Sequence, residues 1–208
     1  INASTSVVYT PDPNQKQTIT CTHELGGMLY KLSGACGSCE RDYIARRFTV
    51  TLTGKYHAPV AAAATASPVY DSTDPVMGSG IGFELNSVNP LVSNLVCSDN
   101  GQIAERVNHN DDTGYECFMT TKHSASAAVT IEEDSTVKWE DAAVAGTAYA
   151  WTVVIGTVSG NILTTTGSKM QLGQPARDPE GGIQKLSMTC RLHDSAAGAK
   201  DWETITQT

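Results

Sequence analysis

The chain has 208 residues, of which 40% are hydrophobic and 17% charged, and 22 acidic against 14 basic residues leave a net charge of −8. This length suits one large or two small domains with a core that needs no covalent staple. The acidic surplus argues against a nucleic-acid clamp, which needs a basic face, and no run of about 18 apolar residues offers a membrane helix.

No basic segment followed by an apolar run opens the chain as a secretory signal. It begins at Ile1 rather than Met, so a processed, trimmed or partial chain is expected. Short β-branched and aromatic runs follow: STSVVYT, QTITCT, and then RFTVTLTGKY, the cleanest alternation in the sequence. In the last, Phe48, Val50 and Leu52 share one face and Thr49, Thr51 and Thr53 the other, the pattern of a half-buried strand. Residues 61–80, AAAATASPVYDSTDPVMGSG, have the Ala/Ser/Pro/Gly composition of a linker or extended arm. Strand patterns resume in GIGFELNS, QIAERV, YECFMTT, ASAAVTIEE, YAWTVVIGTV and IQKLSMTCRL. Turn chemistry separates them at Asp99-Asn100-Gly101, Asp111-Asp112-Thr113-Gly114, Gly160-Asn161 and Glu180-Gly181-Gly182. Trp139, Ala142, Ala143 and Gly146 recur at helical spacing, which predicts one helix over about 136–148. The expected fold is therefore mainly β, a sandwich or barrel carrying one packed helix. A weak internal repeat relates MLYKLSGACG…RRFTVTLTGKYHAP to NILTTTGSKM…GGIQKLSMTCRLHDS, each read as strand, Gly turn, loop and long strand.

The residues that often carry chemistry form no recognisable set. Cys21, Cys97, Cys117 and Cys190 lie in strand-like runs, where a thiol serves as a small buried hydrophobe. Cys36 and Cys39 make a single C-x-x-C without the second ligand pair that zinc needs, and without the strand-to-helix junction of a redox motif, so an ordinary loop is expected. His23, His57, His109, His123 and His193 show no metal or catalytic spacing. The segment from Asn108 to Gly114 resembles a calcium loop only superficially. Its Gly stands at the seventh position and Met119 at the twelfth, so a hairpin tip is expected. Glu132, Glu133 and Asp134 read as a solvated strand end beside the helix rather than an acid/base pair. No catalytic, cofactor or metal residue is assigned, and the chain is expected not to be an enzyme.

From about Thr5 to Pro59 the order of VVYTPDP, TITCTHELGGMLYKLSGACG and FTVTLTGKYHAP resembles the end of the first domain in two-domain tail tube proteins of phages with long, non-contractile tails. From about Val76 to Ile205, GIGFELN, the Trp-bearing helix, GNIL and QLGQP…DPEGGI follow a similar order. The resemblance implies residues 1–60 as the end of a first tail-tube-like unit, 61–80 as a linker or arm, and 81–208 as a second unit, a duplicated arrangement. It further implies a structural virion protein, a major tail protein made in the host bacterial cytoplasm. Copies would stack as trimeric or pseudo-hexameric rings, contact other tail proteins, and let genomic DNA pass without specific binding. The −8 charge would suit a lumen that repels phosphate, and a strip formed by Arg41, Arg46 and Arg47 is expected at a subunit contact. The alternative is a secreted or surface β-sandwich binding module of carbohydrate-binding or adhesin type. It would stack ligands on Tyr43, Tyr56, Tyr70, Trp139, Trp151 and Trp202, although Trp139 and Trp151 read more naturally as core.

Overall fold

The computed structural model describes residues 7–9, 18–62, 80–133, 137–158, 161–196, 199 and 201–207. In chain order these hold β1 (Val7–Tyr9), β2 (Ile19–Leu25), β3 (Met28–Asp42), β4 (Arg47–Ala61), β5 (Ile81–Leu85), β6 (Val92–Ser98), β7 (Gln102–Val107) and β8 (Tyr115–Lys122). There follow β9 (Ser126–Glu132), α1 (Trp139–Val144), β10 (Ala148–Ile155), β11 (Leu163–Gln171), β12 (Ala176–Glu180), β13 (Ile183–His193) and β14 (Thr204–Gln207). Twelve strands form one antiparallel sheet along β1-β14-β11-β13-β9-β6-β3-β2, while β7 and β8 make a separate hairpin. The protein is mainly β, with a curled, sandwich- or barrel-like sheet and one short helix.

Curling follows from strands that change partners along their length. One edge of β11 pairs with β10; the other pairs with β14 at Leu163–Thr166 and with β13 at Lys169–Gln171. Likewise β3 keeps β4 on one side, with β2 on the other side up to Ala35 and β6 from Glu40 onward. Each switch bends the sheet out of a single layer. The strands nearest the middle alternate as period-2 patterning requires. Ala127, Val129 and Ile131 of β9 and Leu186, Met188, Cys190 and Leu192 of β13 are buried on one side. Trp139 and Ala142 of α1 close this core, with Tyr149 edge-on to Trp139 at 6.3 Å between ring centroids. Through β1–β14 and β3–β6 pairing, the N-terminal strands share the sheet with the rest of the chain.

Four sequence expectations need correction. The helix spans Trp139–Val144, not 136–148: Gly146 takes φ +66°, which ends the turn, and Ala148–Ile155 is held as a strand between β5 and β11. The KLSGACG segment is not a turn. It lies inside β3, where a bulge at Gly34 (φ +59°) shifts the register from Ser33↔Lys55 to Cys36↔Thr53 and pairing continues. Cys36 and Cys39 therefore sit in a strand, not a loop, opposite Thr53 and Val50. The expected turns at Asp111–Gly114 and Gly181–Gly182 are present, while Asp99–Gly101 is an irregular link from β6 to β7 rather than a turn, with Asn100 at φ +45°. Gly181–Gly182 closes the β12–β13 hairpin with φ +61° and +87°, a two-residue loop that glycine tolerates best. Most of the 61–80 segment, and Gly160 of the Gly160-Asn161 step, lie outside the described residues.

Candidate functional site

Beyond the core, β2, the first half of β3 and the second half of β4 form a three-stranded arm, and the first half of β4 continues from it along the second half of β3. Fifteen residues in each of β3 and β4 extend roughly 50 Å at about 3.3 Å per residue. Among the described residues the outer edges of β2 and β4 have no strand partner. The arm is also apolar where it meets solvent, with Leu25 62% exposed, Tyr56 64% and Val60 57%, and Val50 in the first half of β4 is 57% exposed.

The edges of this protein differ in how they are guarded. β12 reads Ala176-Arg177-Asp178-Pro179-Glu180, with three charges and a proline that blocks further pairing. β7 and β8 carry Glu105, Arg106, Glu116 and Lys122. β4 from Phe48 to Thr53, FTVTLT, has no charge and no proline and is paired without a bulge. Its alternating pattern specifies a buried face, yet Phe48 and Val50 stand exposed.

Two polar clusters fix the arm. At its root, Glu203 is buried among Arg41 and Tyr43. Arg41 Nε donates to Glu203 Oε1 at 2.9 Å, the Tyr43 hydroxyl donates to the same oxygen at 2.7 Å, and Arg41 Nη2 ion-pairs with Oε2. Burial raises the Glu203 carboxyl above the usual carboxylate range, against the opposing pull of Arg41 and the Tyr43 hydroxyl. Burial, then the neighbouring carboxylate, raises the Tyr43 phenol as well. Farther out, a cleft of about 550 Å³ separates the arm from the β7–β8 tip. There Ser33 Oγ and His57 Nε2 share a hydrogen bond of 2.6 Å, and Lys55 Nζ pairs with Asp111 Oδ2 at 2.7 Å. Asp111 Oδ1 also accepts from the Thr113 amide at 2.9 Å and from the Thr113 hydroxyl. Lys55 first, then Thr113, holds the Asp111 carboxyl well below its ordinary value.

Arg41 thus belongs to a buried ion pair and not to a surface strip with Arg46 and Arg47. The triad escapes sequence reading because Glu203 lies 162 residues from Arg41, in a polar tail without a motif. The Asn108–Gly114 segment is a hairpin tip whose Asp111 carboxylate is committed to Thr113 and Lys55. Glu133 is exposed and takes a hydrogen bond from Arg177 Nη2, which also reaches Glu140; Asp134 lies outside the described residues. Cys97 and Cys190 are buried on either side of Ala127, as small hydrophobes should be, whereas Cys21 and Cys117 are only half-buried. The histidines are scattered: His57 meets Ser33, His123 stacks on Trp202 at 5.7 Å and His193 meets Gln171. Among the described residues no three His, Cys, Asp or Glu side chains converge as a metal site.

Of the proposed ligand-stacking aromatics, Tyr43, Trp139, Trp151 and Trp202 are all core residues, and Tyr56 alone of that set is exposed among the described residues. No protein-family model and no curated protein matches the chain.

Proposed function

We propose that this protein is a non-enzymatic structural subunit that assembles with its own copies into stacked rings, forming a tail tube through which a phage genome passes. The observation that carries this reading is the FTVTLT edge of β4, which is patterned for burial and left exposed beside a backbone edge unpaired among the described residues. Such an edge in an isolated subunit invites strand addition and aggregation. A second copy supplying a strand satisfies its backbone groups and covers the apolar face in one step. Among the described residues neither outer edge of the arm has a strand partner, so copies can join edge to edge without exhausting their contacts. The resemblance in motif order to tail tube proteins selects a tube among such assemblies, and the acidic net charge suits DNA sliding through without retention. Burial of the three tryptophans and Tyr43 leaves Tyr56 as the one exposed platform of the proposed glycan-stacking set among the described residues, which favours assembly over glycan binding.

Electron microscopy of the full-length protein over a concentration series tests the proposal. Rings or tubes are expected, together with recovery of the protein from virion tails. A monodisperse monomer at high concentration, absent from virions, would overturn it.

A further inference from the structure

Asn100-Gly101 is the one Asn-Gly step in the chain. In such a step no side chain shields the glycine amide from the asparagine carboxamide carbon, so the amide nitrogen can attack it. Asn89 precedes Pro90, whose nitrogen carries no proton, and every remaining asparagine precedes a residue with a side chain. The fold requires both members of the pair. Asn100 is exposed in the irregular link from β6 to β7 and takes φ +45°, a conformation asparagine tolerates. A Cβ on Gly101 would stand 3.1 Å from the Gly37 carbonyl oxygen of β3.

The Asn100 carboxamide fastens the base of the β7–β8 hairpin. Residues 99–125 leave the main sheet after β6 and return to it at β9. On the outgoing side, Asn100 Oδ1 accepts from the Ser98 hydroxyl at 3.0 Å. On the returning side, Asn100 Nδ2 donates to the Ser124 carbonyl at 3.0 Å and to Ser126 Oγ at 2.8 Å. Around it, the Ser124 amide donates to the Asp99 carbonyl at 3.2 Å, and the Cys39 amide donates to Asp99 Oδ1 at 3.0 Å. A carboxylate in place of this carboxamide has no donor to offer. The Ser126 hydroxyl can turn to meet it, but the Ser124 carbonyl cannot, and two acceptors would face each other across a hydrogen-bond distance. The Asp99 carboxylate next to it adds like-charge repulsion.

We propose that Asn100 is a site of spontaneous deamidation, and that its conversion unfastens the β7–β8 hairpin from the sheet. The Gly101 nitrogen attacks Asn100 Cγ, ammonia leaves with the Nδ2 atom, and a succinimide closes. Water then opens the ring to aspartate or to isoaspartate, whose extra backbone methylene also shifts Gly101 against Gly37. The hairpin keeps its far tether, Lys55 to Asp111 at 2.7 Å, so it loosens from the base. The reaction runs one way, and the unfastened fraction grows with the age of the chain.

The test holds the dilute full chain, folded and in parallel urea-unfolded, in mildly alkaline buffer at physiological temperature. Peptide mass mapping follows amide-to-acid conversion at every asparagine, and hydrogen exchange follows the hairpin amides from Gln102 to Lys122 and the Ser124 amide. Asn100 is expected to convert first in the folded chain. Exchange in the converted chain, and in Asn100→Asp, is expected to be about tenfold faster than in the unconverted wild type, the scale of one hydrogen bond turned repulsive. The aged wild type acquires the change after folding, so the test stands even if Asn100→Asp fails to fold. Conversion of Asn100 in urea but not in the folded chain, or earlier conversion of Asn86 or Asn108 in the folded chain, would overturn the site. Converted chains that exchange like the wild type would overturn the fastening. Neither readout requires assembly, so failure here leaves the assembly reading untouched.

Discussion

Glu203→Ala probes the root of the arm directly. The carboxylate is 1% exposed and the Arg41 side chain 8%, so neither charge retains useful hydration. Removing the acid strands the guanidinium and takes the acceptor from the Tyr43 hydroxyl. Breaking one side of a buried pair costs about 3–5 kcal/mol, most of it the uncompensated charge rather than the lost attraction. At roughly 2–4 °C per kcal/mol for a chain of this size, the midpoint should fall by about 6–20 °C. Glu203→Gln keeps an acceptor for Arg41 Nε and Tyr43 and should lose less. Replacing both charges, Arg41→Met with Glu203→Leu, should recover most of the stability, because apolar packing replaces an expensive ion pair. Urea unfolding followed by tryptophan fluorescence measures all four chains, at a protein concentration where association adds nothing to the midpoint. A loss below about 1 kcal/mol in Glu203→Ala, or a double variant weaker than Glu203→Ala, would refute a buried, mutually dependent pair.

Gly167→Ala should destabilise by about 1–3 kcal/mol in the same unfolding assay, because a Cβ there would collide with the Trp151 indole and the Trp202 carbonyl; wild-type stability would mean that this contact is slack. Replacing Gly181 and Gly182 by Val should damage folding more than the same change at exposed Ser195 or Ala196, since both glycines have positive φ; equal tolerance would place the pair in a loose loop. The Asp111 carboxyl is held below its ordinary value, so the stability it contributes is fully present above about pH 4 and is lost as pH falls through the lowered folded-state value. An NMR titration of the Thr113 amide should show that turn intact at pH 4, and a midpoint at or above the free-aspartate value would refute the tether. Burial pushes the Cys190 thiol up to about 11 and the Cys97 thiol higher still, so in native protein at pH 8 both should resist alkylation while half-buried Cys36 and Cys39 react; mass mapping of the adducts reads this out.

The turns and the central strands were legible because their chemistry is local. Gly181 and Gly182 carry positive φ, which glycine tolerates, and the Val129/Ile131 and Leu186/Met188 alternations report the faces they bury. The helix was over-extended because small residues beyond Val144 fit helical spacing as well as strand spacing; pairing of β10 with two neighbours decides between them. Cys36-Gly37-Ser38-Cys39 reads as loop chemistry, yet Gly37 is required inside the strand, where a side chain would run into the Thr51 carbonyl. The Arg41–Glu203 pair left no local trace. A buried charge among three nearby arginines looks like surface until its distant partner is placed beside it.

The remaining disagreement between pattern and structure points outward. Phe48, Val50 and Leu52 alternate with threonines as regularly as any buried strand here, and on that pattern one face should be covered. Within the subunit Phe48 touches Tyr43 edge-on at 6.2 Å, while Val50 remains 57% exposed. The stretch is not loose, since β4 is paired with β3 without interruption from Arg47 to Thr53. Nor does indifference to edges, since β12 is guarded with charge and proline. A sequence that protects one edge and leaves a longer, more apolar one bare is consistent with burial that the described residues do not provide. The same reasoning bears on Arg46 and Arg47, which stand at the head of this strand, beside its uncharged stretch rather than within it. Introducing lysine at Val50 should therefore leave the subunit folded and soluble while weakening its association, and an assembly indifferent to that charge would place the joining edge elsewhere.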